Sequence, residues 1–225
     1  MNEWAMRLLR WRLARRLEEN ALTELLRAPM PRRSLPFADT EFLCLDIETT
    51  GLDPRTAEML SVGWVVIRQA RVELGTATSL LVRPDGNVGH SATVHGLTDT
   101  QCESGLEIHD VLARTFQALH GRALVVHYSG LDKALLDRFS LALFGGPVPV
   151  PLVDTLALER QRRERRHHVN EQQSLRLADL RRAYHLPVYG QHNCLTDAIA
   201  TAELLLAMVA THGDVNRTRL GDLVV

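Results

Sequence analysis

The sequence predicts an α/β fold: one mixed sheet of five strands flanked by helices, with a helical extension at the N-terminus. Three observations carry that reading. Short apolar runs begin near residue 42 and recur five times. The stretches between and after them place apolar residues at spacings of three and four, the mark of helix. Three of the runs come first and helices then alternate with the rest, the order of a mixed sheet covered by helices.

Taken in order, residues 1 to about 28 hold no Gly or Pro before Pro29. Met6, Leu9, Leu13, Leu17, Ala21 and Leu25 mark one face of a helix there. Arg7, Arg10, Arg12, Arg15 and Arg16 crowd its first half. Two roles fit such a helix. It can touch nucleic acid, a membrane surface or a protein partner, or it can pack its leucines on the main domain and leave its arginines in water. Pro29, Pro31 and Pro36, with Arg32, Arg33 and Ser34, then form a breaker-rich linker. Residues 1–36 are therefore expected to be a basic helical extension and linker, 40–212 the main domain, and 213–225 a loose tail.

Phe42 to Ile47 reads as a buried strand. Met59 to Ile67 and Val72 to Val82 read as two more, joined as a hairpin through Arg68-Gln69-Ala70-Arg71. Ile108, Val111, Leu112, Thr115 and Leu119 have helical spacing. Ala123 to His127 is a fourth strand, and the helix after it carries Leu131, Leu135, Leu136, Phe139 and Leu143. Pro149 to Val153 is a fifth, brief extended segment. Helices near 154–166, 174–185 and 196–211 complete the domain.

The whole chain constrains function only loosely. Its 225 residues, 45% of them hydrophobic, suffice for one well-buried domain with a modest appendage. A formal net charge of −1 advertises no global positive field, although a carboxylate-rich site would mask local basic patches in such an average. Every basic residue except Lys133 is an arginine. Cys44, Cys102 and Cys194 are odd in number and without paired spacing, which argues against a disulfide framework or a cysteine zinc site and for a reducing cytoplasm. No run approaches the roughly 18 uninterrupted apolar residues of a membrane span.

The chemistry is written in carboxylates. The first strand ends in Leu45-Asp46-Ile47-Glu48-Thr49-Thr50-Gly51-Leu52. Residues i and i+2 of a strand share a face, roughly 6.6 Å apart, so Asp46 and Glu48 can reach one cation. His127-Tyr128-Ser129-Gly130-Leu131-Asp132 puts Asp132 in a first helical turn, where the helix dipole alone would also favour an acid. His192-Asn193-Cys194-Leu195-Thr196-Asp197 opens another helix with Asp197 and leaves His192 in the loop before it. Each piece alone has an ordinary structural explanation. Together, in this order, they do not.

The combination resembles the DEDDh 3′–5′ exonuclease superfamily, which includes the epsilon proofreading subunit of bacterial DNA polymerase III. The resemblance spans roughly residues 40 to 212. Val94-His95-Gly96-Leu97-Thr98 also looks like the family's loop after the third strand, and Val153-Asp154-Thr155 like its later strand end. What the resemblance implies is an RNase H-like fold and a metal-dependent hydrolase that trims 3′ ends. Asp46, Glu48, Asp132 and Asp197 would hold two Mg²⁺ ions, for which Mn²⁺ can substitute, and His192 would be the general base. Thr49, Thr50, Gly51 and Leu52 would cradle and wedge the terminal nucleotide, beside His95 and Tyr128. Oxygen ligands suit those hard ions.

One departure from the family concerns the substrate pocket. Its members usually carry His-Asn, with Phe before the aspartate, where this chain has His127-Tyr128 and Leu131-Asp132. Tyr128 can stack on a base or fill core beside the sheet. The expected substrate is a DNA 3′ end, single-stranded or of proofreading or repair type, with RNA or short oligoribonucleotides as the alternative. A proofreading role would need a polymerase or other protein partner, for which the N-terminal helix is the available surface. The dense stretch Arg160, Arg162, Arg163, Arg165, Arg166, His167 and His168 can hold a strand's phosphates or solvate a helix end.

Two other classes share part of this pattern. Asp-x-Glu-x-Thr also resembles the nucleophile motif of haloacid-dehalogenase-like phosphatases, but the second acid motif of that class is missing. A non-catalytic module of the same fold, binding nucleic acid or a polymerase, would be marked by a lost acid, and none is lost.

Overall fold

The computed structural model describes residues 1–83, 105–165, 174–190 and 193–225. A single five-stranded sheet organises them: β1 Phe42–Thr49, β2 Met59–Arg68, β3 Arg71–Leu81, β4 Ala123–Val126 and β5 Leu152–Asp154, in the order β3-β2-β1-β4-β5. The β1–β2 and β2–β3 pairs are antiparallel, and β4 pairs parallel with both β1 and β5. The expected hairpin closes on Gln69 and Ala70, both at positive φ (50° and 55°), a geometry that matches the twist of the strands it joins.

The helices are α1 Glu3–Arg16, α2 Ala21–Arg27, α3 Ile108–Ala118, α4 Asp132–Phe144, α5 Thr155–Arg165, α6 Leu177–Ala183, α7 Cys194–His212 and a short α8 Leu220–Leu223. They cover two faces. Leu43, Leu45 and Ile47 of β1 meet Leu22, Leu25, Phe116, Leu135 and Phe144 on one side. On the other, Phe42 and Cys44 meet Ala202, Leu205 and Val209 of α7, with Leu220 and Leu223 of α8. The period of two along β1 thus feeds both cores. By length and composition α7 is apolar enough to cross a membrane. Its buried residues instead pack on the sheet and on Leu180 of α6.

Both ends of the chain depart from expectation. The single N-terminal helix is two, because Asn20 starts α2 afresh: its side-chain oxygen accepts from Thr23 N–H while Thr23 Oγ1 accepts from Asn20 N–H. Leu13, Leu17 and Leu25 do pack on the core as the apolar stripe suggests. Arg10, however, is buried rather than solvated, donating to the carbonyls of Pro149, Leu25 and Ala28. The segment from 213, read as a loose tail, is partly woven in. Leu220 is fully buried, its N–H donates to Leu35 O, and Val224 bridges to Val153 on the sheet edge. Two leucines three residues apart are a weak signal in sequence, yet they suffice to close one core. Cys44 and Cys194 are free and buried, and Cys102 lies outside the described residues.

Candidate active site

Along β1, the row Phe42–Cys44 that faces α7 continues as Asp46 and Glu48 toward the strand's C-terminal end. The ladder to β2 shifts between Glu48 and Thr49, an irregularity that ends the regular pairing at the second acid. Opposite Asp46 on β2 stands Gly63. A Cβ there would lie 2.4 Å from the backbone of Cys194 and Leu195, so only glycine lets the first turn of α7 descend onto the sheet. Asn193 caps that turn, accepting from Thr196 N–H at 3.1 Å, and Cys194 Sγ lies 3.4 Å from Ser79 Oγ on β3. The helix start is therefore pinned, and Asp197 is delivered to β1. Ligand oxygens of Asp46, Glu48 and Asp197 lie within 4.8 Å of one another.

Asp132 arrives differently. It is the first residue of α4, is buried, and accepts from Ile47 N–H through Oδ1 at 3.3 Å. Ile47 lies beyond Cys44–Val125, the last pair between β1 and β4, so the carboxylate serves a ladder donor that β4 has stopped serving. Three of the four acids picked from sequence thus form one group, and the fourth stands beside the strand on a backbone hydrogen bond. His192 and His95 lie outside the described residues, as do Arg166, His167 and His168.

The electrostatics are those of crowded like charges. Burial, and then the neighbouring Asp132, Asp197 and Glu48, push the Asp46 carboxyl well above the usual range. Asp132 is also raised, by burial first; the Ile47 hydrogen bond opposes the rise, while Asp154 and Glu48 add to it. Such a constellation stabilises a cation. Carboxylate oxygens at this spacing fit a hard divalent ion such as Mg²⁺ or Mn²⁺.

Around the acids the loop of residues 50–58 is closed by Thr50, which exchanges hydrogen bonds with Glu58, and by Arg138, which donates to the carbonyls of Arg55 and Ala57. Leu52 projects from it, 85% exposed. A cavity of about 650 Å³ opens beside Asp197, lined by Leu52, Tyr128, Leu175, Val188 and Tyr189. Tyr128 is 51% exposed and fills no core. Of the basic stretch on α5, Arg162 and Arg163 are tied to buried Glu159, whereas Arg160 and Arg165 are exposed.

One residue that sequence reading noted only as a strand end is Asp154, buried at the end of β5. Its Oδ1 accepts from the N–H groups of Tyr128, Leu156 and Ala157, and its Oδ2 from Ser129 N–H. An aspartate between a strand and a helix is a helix-capping signal, and that signal was present at Val153-Asp154-Thr155.

Known proteins resemble this chain in sequence or in fold. A family model, RNase_T, described as exonuclease, matches residues 43–205. A PolC-type DNA polymerase III of Thermotoga maritima is 28% identical over 188 residues, covering 83% of this chain and 13% of that protein. A DNA polymerase III subunit epsilon-like protein of Rhodobacter capsulatus is 30% identical over 176 residues, covering 77% and 24%. The chain therefore spans a quarter or less of the length of these relatives. Among solved structures, E. coli exonuclease I in complex with a dT13 oligonucleotide aligns with a TM-score of 0.64 at 17% identity, covering 76% of this chain and 41% of that one. Cell-death related nuclease 4 aligns at 0.64 and 15% identity, covering 79% and 67%.

Proposed function

Since the chain belongs to the RNase_T exonuclease family, within the DEDDh superfamily of 3′–5′ exonucleases, we propose that it removes nucleotides one at a time from DNA 3′ ends by a two-metal mechanism. The carrying observation is the convergence of Asp46, Glu48 and Asp197 within 4.8 Å at the C-terminal end of β1. Two elements of the fold, β1 and α7, bring those like charges together, which no stability argument favours. Asp132, raised by burial beside the same strand, completes the acid set that the resemblance assigns.

Divalent ions held by these carboxylates would supply charge stabilisation for an in-line displacement at phosphorus. The chain's own residues do the rest. Asp46, Glu48, Asp132 and Asp197 supply oxygen ligands and fix where the scissile phosphate lies. His192, five residues before Asp197, takes the proton of the attacking water, for which an imidazole that is largely neutral near pH 7 is suited. The backbone of Thr49, Thr50 and Gly51 cradles the terminal nucleotide, and Leu52, projecting beside the cavity, wedges it from the next base. His95 belongs to the same substrate-binding set by resemblance.

DNA is favoured over RNA because the relatives are DNA polymerase III proteins and several structural neighbours hold DNA oligonucleotides. The polymerase names of those relatives also support a partner chain. The exposed Trp4 and Trp11 on α1, among exposed Arg12, Arg15 and Arg16, offer it a surface. The test is a side-by-side digestion of end-labelled single-stranded DNA, duplex DNA and RNA, with Mg²⁺ and with EDTA. Stepwise loss from the 3′ end of DNA, abolished by EDTA, is expected. Faster digestion of RNA would reassign the substrate, and binding without digestion would make the chain a non-catalytic module.

A further inference from the structure

The turn that joins β4 to α4 carries a backbone arrangement that chain connectivity alone does not require. Tyr128 sits at φ 95°, a left-handed conformation that is strained for any residue with a Cβ. Such strain persists only where the surroundings hold it. Here Asp154 holds it, accepting from Tyr128 N–H at 3.2 Å and from Ser129 N–H at 2.8 Å. The side chain is fixed as well. Its ring lies over Gly130 so closely that a Cβ on that glycine would come within 2.9–3.0 Å of the ring and phenol atoms. One side of the ring is thus spoken for, yet the residue is 51% exposed and lines the same cavity as Leu52 and Asp197.

We infer that Asp154 and Gly130 hold the Tyr128 ring as a preformed stacking platform for an unpaired base next to the scissile linkage, which selects single-stranded 3′ ends. This rests on the exonuclease reading of the acid cluster. Tyr128 is the binding residue, and Asp154 and Gly130 are positioning residues that act through it. A ring already placed loses little freedom when a base stacks on it, so the contact contributes nearly its full strength. A base still paired in a duplex cannot lie on the ring without first leaving its stack. The cavity of about 650 Å³ is of small-ligand size and takes separated bases.

The experiment measures kcat and KM on 5′-labelled single-stranded DNA, intact or carrying an abasic residue at either of its last two 3′ positions. Alanine replacement of a stacking aromatic weakens base binding by roughly 5- to 150-fold. Tyr128→Ala should therefore raise KM by that factor with kcat little changed, and Tyr128→Phe should behave as wild type. Gly130→Ala, whose Cβ must displace the ring, and Asp154→Asn, which loses one acceptor, should raise KM less. At one of the two positions the abasic residue should raise the wild-type KM as Tyr128→Ala does, and add nothing in that variant. That coupling is a readout that a merely structural tyrosine would not give.

Equal KM for wild type and Tyr128→Ala, or independent effects of variant and abasic residue, would overturn the platform. Digestion of intact strands by the wild type would meanwhile leave the exonuclease reading standing. If no form digests DNA, anisotropy of the same oligonucleotides with Mg²⁺ and the Asp46→Asn protein decides the platform separately. Tighter binding of intact than of abasic strands, lost in Asp46→Asn/Tyr128→Ala, supports it, and equal binding overturns it.

Discussion

Two clusters in this molecule take carboxylates out of water, one around Glu159 and one around Asp46, and answer that burial in opposite ways. Glu159, fully buried on α5, accepts from Arg162 and Arg163 on its own helix and from the Tyr184 hydroxyl after α6. Burial pushes its carboxyl up, but those donors outweigh it and hold the pKa at about 2. Asp46 is surrounded by Asp132, Asp197 and Glu48, and both burial and neighbours drive it upward. The first cluster completes its charge balance within the chain and ties helices together. The second brings three acids within 4.8 Å of one another, a spacing at which a bound divalent ion would add balancing charge. That contrast separates a structural carboxylate from a functional one better than burial alone.

The largest effect should come from breaking the second cluster. Asp46→Asn keeps size and shape while removing one of the charges proposed to hold metal. Nuclease activity is expected to fall by more than the roughly 10²–10⁴-fold associated with a single general base. The circular dichroism spectrum should be unchanged, since no core contact is lost. Near wild-type digestion of single-stranded DNA by a folded variant would remove Asp46 from the site.

That contrast was only half legible in the sequence. Asp-x-Glu on a strand gives two acids on one face from the pleat alone, and the runs around them give the five strands. Gly63 could not be read, because its necessity comes from a helix that begins about 130 residues later and presses on β2. Asp154 could be read as a cap but not as the anchor of Tyr128, since that role depends on the β4–β5 pairing. The arginines of α5 fit either a phosphate-binding run or a solvated helix end, yet two of them close on Glu159, whose burial comes from packing rather than local pattern. The break at Asn20 was hidden because no Gly or Pro marks it; a capping box does.

The first cluster should yield stability rather than activity. Glu159→Gln leaves Arg162, Arg163 and Tyr184 facing an amide that can accept fewer donors. Glu159 has a folded pKa of about 2 against an ordinary value of 4.5. A depressed acid stabilises the fold above its unfolded pKa and loses that contribution as pH falls through the folded one. The shift corresponds to about 3 kcal/mol at neutral pH. Urea unfolding at pH 7 should show Glu159→Gln less stable by about that amount, with the gap closing between pH 4.5 and 2, and digestion of DNA at 25 °C unchanged. A gap independent of pH would assign the loss to packing instead of charge.

The smallest effect, and the one that tests the contrast most directly, is the response of stability to metal. Like charges held together in the folded state are dispersed on unfolding, so the apo protein carries their repulsion as a loss of stability. Ions that bind only the folded site relieve it by RT ln(1 + [L]/Kd), about 2.7 kcal/mol at 100-fold above Kd. For a chain of 225 residues that corresponds to a rise in melting temperature of roughly 5–11 °C. Mn²⁺ should act at lower concentration than Mg²⁺, because it dehydrates more readily and stands higher in affinity for such ligands. Asp46→Asn should flatten the response and raise the melting point in EDTA, since one repelling charge is gone. Glu159→Gln should melt lower in every buffer yet keep the full metal response, because its cluster is already balanced. Melts in EDTA, Mg²⁺ and Mn²⁺ at fixed ionic strength separate these outcomes from simple screening. A wild type that melts at one temperature in all three would mean that the acids at the end of β1 share no ion, and the two clusters would then differ in charge but not in purpose.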